Sequence, residues 1–237
     1  MRADFIANAS HELRTPLASL LGFIETLRGP ARDDAEARVS FLAIMNEQAR
    51  RMARLVDDLL SLTRIELEEH TPPRAAVDVE LILGALKTML DRQAADRRMP
   101  ILIDIPPGLP KVTGDADELT KVFQNLVDNA LKYGRSGTEI RLVAGLAAQV
   151  PPAYPDPRRP AVAISVTDHG EGVPREHLSR LTERFYRVDV GRSRDLGGTG
   201  LGLAIVKHIV NRHRGALAID SEVGRGSTFT VFLPVAE

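Results

Sequence analysis

The sequence predicts an α+β protein in which a helical hairpin domain precedes an α/β sandwich. Residues 1–70 place apolar side chains at alternating steps of four and three, which is the pattern of helices that pack along a seam. The paired prolines Pro72 and Pro73 end this pattern, because proline cannot continue a helix. Beyond them, short apolar runs typical of strands alternate with helical patterns. We therefore expect a helical domain over 1–70, a linker over 71–75 and an α/β domain over 76–237.

The helical domain contains two predicted helices with one seam each. The first seam runs over residues 6–27, and the Gly-Pro pair at 29–30 ends that helix. The second seam runs over 41–62, so a short turn joins the helices into an antiparallel hairpin. Val56 and Leu60 widen the second apolar face beyond a simple seam. We therefore expect two chains to pair their hairpins as a dimeric four-helix bundle.

The α/β domain contains three predicted helices and five predicted strands. Asp115 is a suitable N-cap for one helix, and Gly134 is a suitable residue to follow it. A proline-rich segment over 151–160 predicts an exposed loop between two strands. One mixed sheet with helices on one face accommodates these elements. The helices are predicted over 79–95, 115–133 and 200–212, and the strands over 101–105, 139–147, 161–167, 217–221 and 228–233.

Composition and charge exclude several classes of function. Hydrophobic residues make up 43% and charged residues 27%, which is ordinary for a soluble globular protein. The net charge of −1 and the lack of tryptophan disfavour nucleic acid as a partner, despite four arginines between 184 and 194. The absence of cysteine excludes disulfides and thiolate nucleophiles. No apolar run is long enough to span a bilayer, so we expect this fragment to be cytoplasmic.

A histidine with a neighbouring carboxylate lies in the first predicted helix. His11 follows the seam position Ser10, so it is expected on the flank of the bundle, within reach of solvent. A neutral imidazole is a usable nucleophile when a carboxylate such as Glu12 takes the proton from its other nitrogen. Thr15 shares the face of His11, and Pro16 predicts a kink just beyond it. Taken alone, the same residues also fit a solvated helix surface.

Asn125 and Asn129 lie one turn apart on the helix predicted over 115–133. Amide oxygens are hard ligands that suit Mg²⁺, which keeps several waters and bridges nucleotide phosphates. Lys132 is then placed to meet a phosphate and Tyr133 to cover a base. A helix with exposed polar residues has the same pattern, so the spacing alone leaves both interpretations open.

An aspartate and two glycines follow the strand predicted over 161–167. Asp168 ends the strand, where a carboxylate can accept a hydrogen bond from an exocyclic amine such as that of adenine. Gly170 and Gly172 let the backbone come close to a ligand. A simple Asp-Gly turn would look the same in the sequence.

A glycine-rich segment opens the helix predicted over 200–212, where backbone N–H groups and the helix dipole favour phosphate. Arg187, Arg192 and Arg194 precede it and can pair with phosphate oxygens, and the stretch around them predicts a mobile lid. A dinucleotide-binding fingerprint is disfavoured, because no strand directly precedes the glycines. The segment consists of Gly198, Thr199, Gly200, Leu201 and Gly202.

In their order along the chain, these motifs resemble the conserved boxes of bacterial sensor histidine kinases. The resemblance covers nearly the whole sequence, and the stretch FYRVDVGRSRDLGGTGLGLAIVKHIV is similar to sensors of the phosphate-regulon type. Small departures at Thr182 and Arg214 touch none of the proposed chemical groups. The boxes are SHELRTPL at 10–17, NLVDNALKY at 125–133, DHGEG at 168–172, ERFYRVD at 183–189, GGTGLGL at 197–203 and GRGSTF at 224–229.

The resemblance implies an ATP-binding domain of the gyrase, Hsp90 and histidine kinase type, with ATP and Mg²⁺ as cofactors. It implies that His11 is the phosphoacceptor and Glu12 the general base, and that Thr15 orients the water that dephosphorylates the partner. Asn129 would coordinate Mg²⁺ with support from Asn125. The other residues implied in nucleotide binding are Lys132, Tyr133, Asp168, Gly170, Gly172, Arg192, Arg194, Gly198, Thr199, Gly200, Leu201, Gly202 and Thr228.

The implied partner is the receiver domain of a response regulator, and the full-length protein is expected to be anchored in the inner membrane through segments absent from this chain. Two alternatives are a dimeric scaffold with an inactive site and an ATPase of the gyrase class. The intact boxes disfavour the first. Asn125 disfavours the second, because related ATPases carry at that position a glutamate that activates water. Whether phosphoryl transfer occurs within or between subunits depends on the hairpin turn near 28–36, and the sequence leaves this open.

Overall fold

The helical hairpin is formed by α1 (Arg2–Arg28) and α2 (Ala35–Glu68). The computed structural model describes residues 2–68, 71–189 and 198–236, without the side chains of residues 2–4. Phe23 stacks against Phe41 with ring centroids 5.0 Å apart, and Glu12 bonds Arg51 further along, so the helices run antiparallel. The predicted hairpin is confirmed. Helix α1 continues on both sides of Pro16, and the kink stays a prediction.

The main sheet has five strands in the order β2-β4-β5-β7-β6. Strand β2 runs parallel to β4, and every other pair is antiparallel, so the sheet is mixed as expected. A separate two-stranded sheet pairs β1 with β3. The strands are β1 (Ala75–Val77), β2 (Ile101–Asp104), β3 (Val112–Gly114), β4 (Ile140–Leu146), β5 (Ala161–Asp168), β6 (Ala216–Glu222) and β7 (Gly226–Pro234).

The helices of the sandwich lie on one face of the main sheet. Alternate residues of β5 and β7 are buried beneath them, which is the pattern of a sheet covered on one side. The fully buried side chains include Phe123 and Leu126 of the central helix and Ile164 of the central strand. The helices are α3 (Val79–Asp96), α4 (Ala116–Tyr133), the short α5 (Arg175–Leu178) and α6 (Gly202–Arg212).

The two ends of α4 confirm two predicted residues, one of them for a different reason. The Asp115 carboxylate accepts hydrogen bonds from the N–H groups of Asp117 and Glu118, each at 3.0 Å, so it is the expected N-cap. Gly134 follows the helix, but its φ of −66° is not left-handed. Glycine is required there because a Cβ atom would lie 2.5 Å from the backbone carbonyl oxygen of Ala130.

The proline-rich segment over 151–160 is irregular, as predicted, but it is not simply exposed. Tyr154 is 4% exposed and packs with Ala161 and Ala216 in a small cluster of its own. Arg159 donates to the Val235 carbonyl at 3.4 Å. Most of the loop is exposed, as predicted, and its one buried side chain, Tyr154, covers the end of the sheet. No helix in the described part of the chain is long and apolar enough to cross a membrane.

The hairpin docks on the sandwich along α2. Leu62 and Ile65 are buried in the same core cluster as α4 and α6, with exposed fractions of 0% and 4%. Polar contacts flank this apolar strip: Ser61 accepts a hydrogen bond from Lys121, and Glu66 pairs with Arg184. The carboxyl end of α2 is thus fixed to the α/β part, and it becomes one wall of the site described below.

We predict that His213 lowers stability at mildly acidic pH. This side chain is 2% exposed, its Nε2 accepts a hydrogen bond from the Asp115 N–H at 3.0 Å, and burial lowers its pKa from the usual 6.5. The unfolded chain then binds a proton there that the folded chain does not. The contribution of the neutral His213 imidazole to the free energy of unfolding is therefore complete above pH 6.5, and it is lost as the pH falls below that value.

Urea unfolding of the wild type and His213→Gln at a series of pH values tests this, with the exposed His11→Gln as the control variant. The difference in unfolding free energy between wild type and His213→Gln should shrink as the solution is acidified. A difference that is independent of pH would contradict the buried neutral imidazole.

Candidate functional site

A cavity of about 560 Å³ lies between the sandwich and α2. Its walls come from α2, α4, the end of β5, the segment before the glycine-rich loop and that loop itself. The residues predicted in three separate boxes therefore meet around one space. Those that line it are Asn125, Asn129, Lys132, Tyr133, Asp168, Gly172, Gly198, Thr199, Gly200 and Gly202.

One end of the cavity is formed by Asp168 and the turn that follows it. The side chain is 6% exposed, and its Oδ1 accepts a hydrogen bond from the Gly170 N–H at 2.8 Å. Burial raises the pKa of Asp168, while the backbone N–H groups of Gly170 and Ser227 act in the opposite direction. A buried carboxylate at a strand end is suited to accept a hydrogen bond from a ligand amine.

The glycines after Asp168 are required by close backbone contacts. A Cβ atom on Gly170 would lie 2.3 Å from the carbonyl oxygen of Tyr133, and one on Gly172 would lie 2.1 Å from that of Glu222. Gly172 also has a φ of +69°, which side chains rarely tolerate. The turn is therefore pressed between α4 and β6, and its residues Asp168, Glu171 and Gly172 form the floor of the cavity, by which we mean this part of its lining.

Helix α4 supplies the amides expected to face a metal-bound phosphate. Asn125 donates from Nδ2 to the carbonyl of Lys121 at 2.8 Å, which turns its oxygen toward Gly202. A Cβ atom on Gly202 would lie 2.7 Å from that oxygen, so Asn125 contacts the start of α6. Asn129, one turn further, is half-buried and lines the cavity. Both amides therefore lie at the cavity, with the Asn125 oxygen against the start of α6.

The hairpin contributes a carboxylate to the cavity. Burial raises the pKa of Asp58, partly offset by the hydrogen bond from Thr199 and the charges of Lys121 and Lys132. Burial likewise raises the pKa of Asp128 and lowers that of Lys132. These groups are close enough to influence one another, so the middle of the cavity is a desolvated cluster of opposite charges.

The glycine-rich loop is held by contacts on two sides. Thr199 donates from Oγ1 to Oδ2 of Asp58 at 2.8 Å, which joins the loop to α2. The Phe185 N–H donates to the Gly200 carbonyl at 2.8 Å, and Gly200 has a φ of +74°. Leu201 turns into the core with an exposed fraction of 0%. The loop thus presents its glycine backbone to the cavity while its one large side chain anchors it.

His11 is exposed on α1, and its neighbour Glu12 is bound from two directions. Glu12 Oε2 accepts hydrogen bonds from Arg51 Nη2 at 3.1 Å and from Arg187 Nη2 at 3.0 Å. Arg187 lines the cavity and also donates to the Gly198 carbonyl at 2.8 Å. Within the described structure no hydrogen bond joins the side chains of His11 and Glu12. Thr15 Oγ1 donates to the His11 carbonyl at 3.3 Å.

Two family models match the chain. The one described as His Kinase A (phospho-acceptor) domain covers residues 1–68, and the one described as Histidine kinase-, DNA gyrase B-, and HSP90-like ATPase covers 114–237. The chain belongs to the sensor histidine kinases. The predicted fold class, a helical hairpin followed by an ATP-binding sandwich of the gyrase, Hsp90 and histidine kinase type, is thereby confirmed.

Named relatives agree with this sensor histidine kinase assignment. The chain is 41% identical over 237 residues to the phosphate regulon sensor protein PhoR of Pseudomonas aeruginosa, and 35% identical over 233 residues to the sensor protein kinase WalK of Staphylococcus aureus. The two matches include 100% and 98% of this chain, but only 51% and 54% of PhoR and WalK, respectively. The chain therefore spans about half the length of each relative.

Solved structures share the fold. Full-length ShkA in complex with AMPPNP matches 98% of this chain and 46% of its own, with a TM-score of 0.67 at 27% identity. The Acinetobacter baumannii histidine kinase AdeS matches 96% of this chain and 98% of its own, with a TM-score of 0.71. At 21% identity, the second match supports the fold alone.

Some predicted site residues lie away from the cavity or outside the described part of the chain. Thr228 is not among the lining residues of the cavity: its hydroxyl pairs with that of Thr167 at 3.0 Å, and Ser227 and Phe229 line the cavity instead. Successive strand residues face opposite sides, so the prediction for Thr228 is wrong by one position. Gly170 shapes the turn without lining the cavity. Arg192 and Arg194 lie outside the described residues.

The structure also places at the site residues that the sequence patterns do not indicate. Asp58 and Arg54 lie in the second helix, where a charged pattern beside a seam is typical of a solvated face, and no box marks them. Lys121 precedes the asparagine box by one turn. Arg187 was noted as a phosphate partner, but its bond to Glu12 spans 175 positions in the sequence, a separation that no local pattern indicates.

We predict that Gly170→Ala weakens nucleotide binding by at least about tenfold, or about 1.4 kcal/mol. The new Cβ atom would collide with the Tyr133 carbonyl and with Asp168, displacing the floor of the cavity. Gly145→Ala is the matched control, because nothing lies within 4 Å of that position. Titration with a fluorescent ATP analogue, with circular dichroism to verify folding, measures the effect. Equal affinities for the two variants would contradict the described turn.

Proposed function

We propose that this chain transfers the γ-phosphoryl group of ATP to His11 and then passes it to an aspartate on the receiver domain of a response regulator. The observation that supports this most directly is the position of Arg187. It lines the nucleotide cavity and binds Glu12, the residue next to His11. The cavity and the phosphoacceptor segment therefore adjoin in one molecule.

The nucleotide is proposed to bind with its base at Asp168 and its phosphates along the glycine-rich loop. The buried carboxylate is suited to the adenine amino group, and Tyr133 lies beside it in the cavity wall. Gly198, Gly200 and the start of α6 offer backbone N–H groups to phosphate oxygens. Lys132 and Arg187 supply positive charge at this end.

Charge around the cavity fits a magnesium ion that arrives with the nucleotide. Among the described lining residues, seven are Asp or Glu and four are Lys or Arg, which disfavours a bare triphosphate. No described group of three His, Cys, Asp or Glu side chains is arranged to hold a metal by itself. Mg²⁺ commonly uses one or two protein oxygens plus phosphates and waters. Asn129 would hold it here, and the ion would neutralise phosphate charge.

The proposed transfer forms a bond from a ring nitrogen of His11 to the γ-phosphorus and breaks the bond from that phosphorus to the oxygen of ADP. Glu12 accepts the proton from the other ring nitrogen. The products are phosphohistidine and ADP. Such a transfer depends mainly on positioning and charge stabilisation, and a well-placed base adds about 10²- to 10⁴-fold. His11 is exposed, so an aspartate of a partner can reach the phosphohistidine.

Two further roles belong to the same proposal. Thr15 lies one turn from His11 with an exposed hydroxyl, which suits it to orient the water that dephosphorylates the regulator. Asn125 cannot activate water as a base, and its amide is engaged with its own helix and Gly202. Its chemistry favours phosphoryl transfer to His11 over steady hydrolysis of ATP.

Autophosphorylation is predicted to require His11 and Asn129. With γ-labelled ATP and Mg²⁺, the wild type should carry an acid-labile, alkali-stable label, and His11→Ala and Asn129→Ala should carry less than about a hundredth of it. Asn211→Ala, an exposed asparagine at the end of α6, is the control and should be labelled like the wild type. A wild type that binds ATP without being labelled would contradict the proposed kinase, and turnover without phosphoprotein would favour an ATPase.

The hairpin is proposed to form a homodimer. One chain leaves large apolar side chains of both helices in solvent, and hairpins that pair as a four-helix bundle would cover them. The side chains that are at least 39% exposed are Ile6, Leu17, Leu21, Ile24, Val39, Leu42, Val56, Leu60 and Leu67.

Leu60→Glu is therefore predicted to convert the dimer to a monomer in analytical ultracentrifugation. Leu146→Glu is the matched control, because that leucine is 63% exposed on the sandwich while Leu60 is 66% exposed. A charge placed in a bundle core would be desolvated, whereas one at Leu146 would stay in water. Dimers of equal stability for both variants would show that the exposed face of α2 is not the contact.

A further inference from the structure

Glu12 is held by an arginine of its own hairpin as well as by one from the sandwich. Arg51, on α2, is 8% exposed, and its Nη2 lies 3.1 Å from Glu12 Oε2. The Glu12 side chain is 20% exposed. A pair this far removed from water needs its partner charge, because an unpaired ion there is strongly disfavoured. The bond joins the two helices of one hairpin, so it does not depend on where the ATP-binding part lies.

Both arginines bind the same oxygen. Arg51 and Arg187 each donate to Oε2, and no hydrogen bond from a described residue reaches Oε1. The carboxylate is therefore fixed at one oxygen, while the other remains able to accept a proton. The imidazole of His11, the adjacent residue, is the proton source that the proposed reaction requires.

The two arginines differ in what else they contact. Arg187 also binds the Gly198 carbonyl, lines the nucleotide cavity and has a buried Nε without a hydrogen-bond partner among the described residues. A phosphate entering the cavity is an alternative partner for it. Arg51 is not among the lining residues of the cavity. A nucleotide in the cavity would therefore compete with Glu12 for Arg187 and not for Arg51.

We propose that Arg51 is a positioning residue for autophosphorylation, which holds the Glu12 carboxylate in place as the base for His11. This inference rests on the proposed function of Glu12. The charged groups that face Glu12 are Arg51 from α2, Arg187 from the segment after α5 and His11 on its own helix. Removing the Arg51 side chain takes away the contact from α2 that fixes the Glu12 carboxylate, so the base is no longer held in place beside His11.

The test compares Arg51→Ala and Arg51→Lys with Arg50→Ala, an exposed arginine one position earlier on α2. Initial rates of His11 labelling from γ-labelled ATP are measured at neutral pH, and nucleotide affinity is measured separately. Arg51→Ala should label about tenfold more slowly at neutral pH, because a base that is held less well takes the proton less efficiently. Arg51→Lys should recover part of the rate. Arg50→Ala should match the wild type, and the nucleotide affinity of all variants should change less than about twofold.

A second comparison separates positioning from general loss of structure. In a Glu12→Gln background, Arg51→Ala should cause no further loss, because the group it positions is already gone. A rate that falls again in the Glu12→Gln background would overturn the proposal and leave Arg51 a packing role. An unchanged rate would overturn it as well. An unlabelled wild type would instead overturn the proposed function, and the role of Arg51 with it.

Discussion

The docking of α2 on the sandwich is the constraint on which the site depends. Leu62 and Ile65 lie in one continuous core with α4 and α6, so the second half of α2 belongs as much to the ATP-binding part as to the hairpin. This apolar strip fixes the position of α2 along the surface of the sandwich. The polar residues beside the strip are thereby positioned as well. Asp58 then meets the glycine-rich loop through Thr199, and α1, packed against α2, brings Glu12 to Arg187.

Around the cavity, burial acts on charges of both signs. It raises the pKa values of Asp58 and Asp128 and lowers that of Lys132, so each group depends on its neighbours to remain ionised. Desolvated charges interact strongly, and a ligand that adds negative charge changes the balance of all of them. Asp58 comes from the hairpin. The interactions among these charges therefore depend on the position of the hairpin relative to the sandwich.

Much of the fold and of the site could be predicted from the sequence, because local patterns specify them. The seams of the hairpin, the Asp115 cap and the glycines of the turns each reflect geometry within a few residues. The predictions failed where geometry depends on partners distant in the sequence. The strands β1 and β3 have three residues each, too few to show a period, and they exist because they pair with each other. Asp58 reaches the site only because α2 docks on the sandwich. Thr228 was misplaced because a sequence motif identifies residue types, but does not show which side of a strand each residue faces.

The connection between β4 and β5 has a consequence for the length of the chain there. Tyr154 is buried against the end of the sheet, and Arg159 binds the last strand region and the hydroxyl of Thr113 in the small sheet. Only residues 155–158 are exposed without interruption between these anchors. Surface loops usually tolerate insertions and deletions. Here, however, the deletion of a residue would displace Tyr154 or Arg159 from its contacts. An inserted residue could be accommodated only within 155–158. The number of residues in this proline-rich connection is therefore more restricted than the identity of those residues.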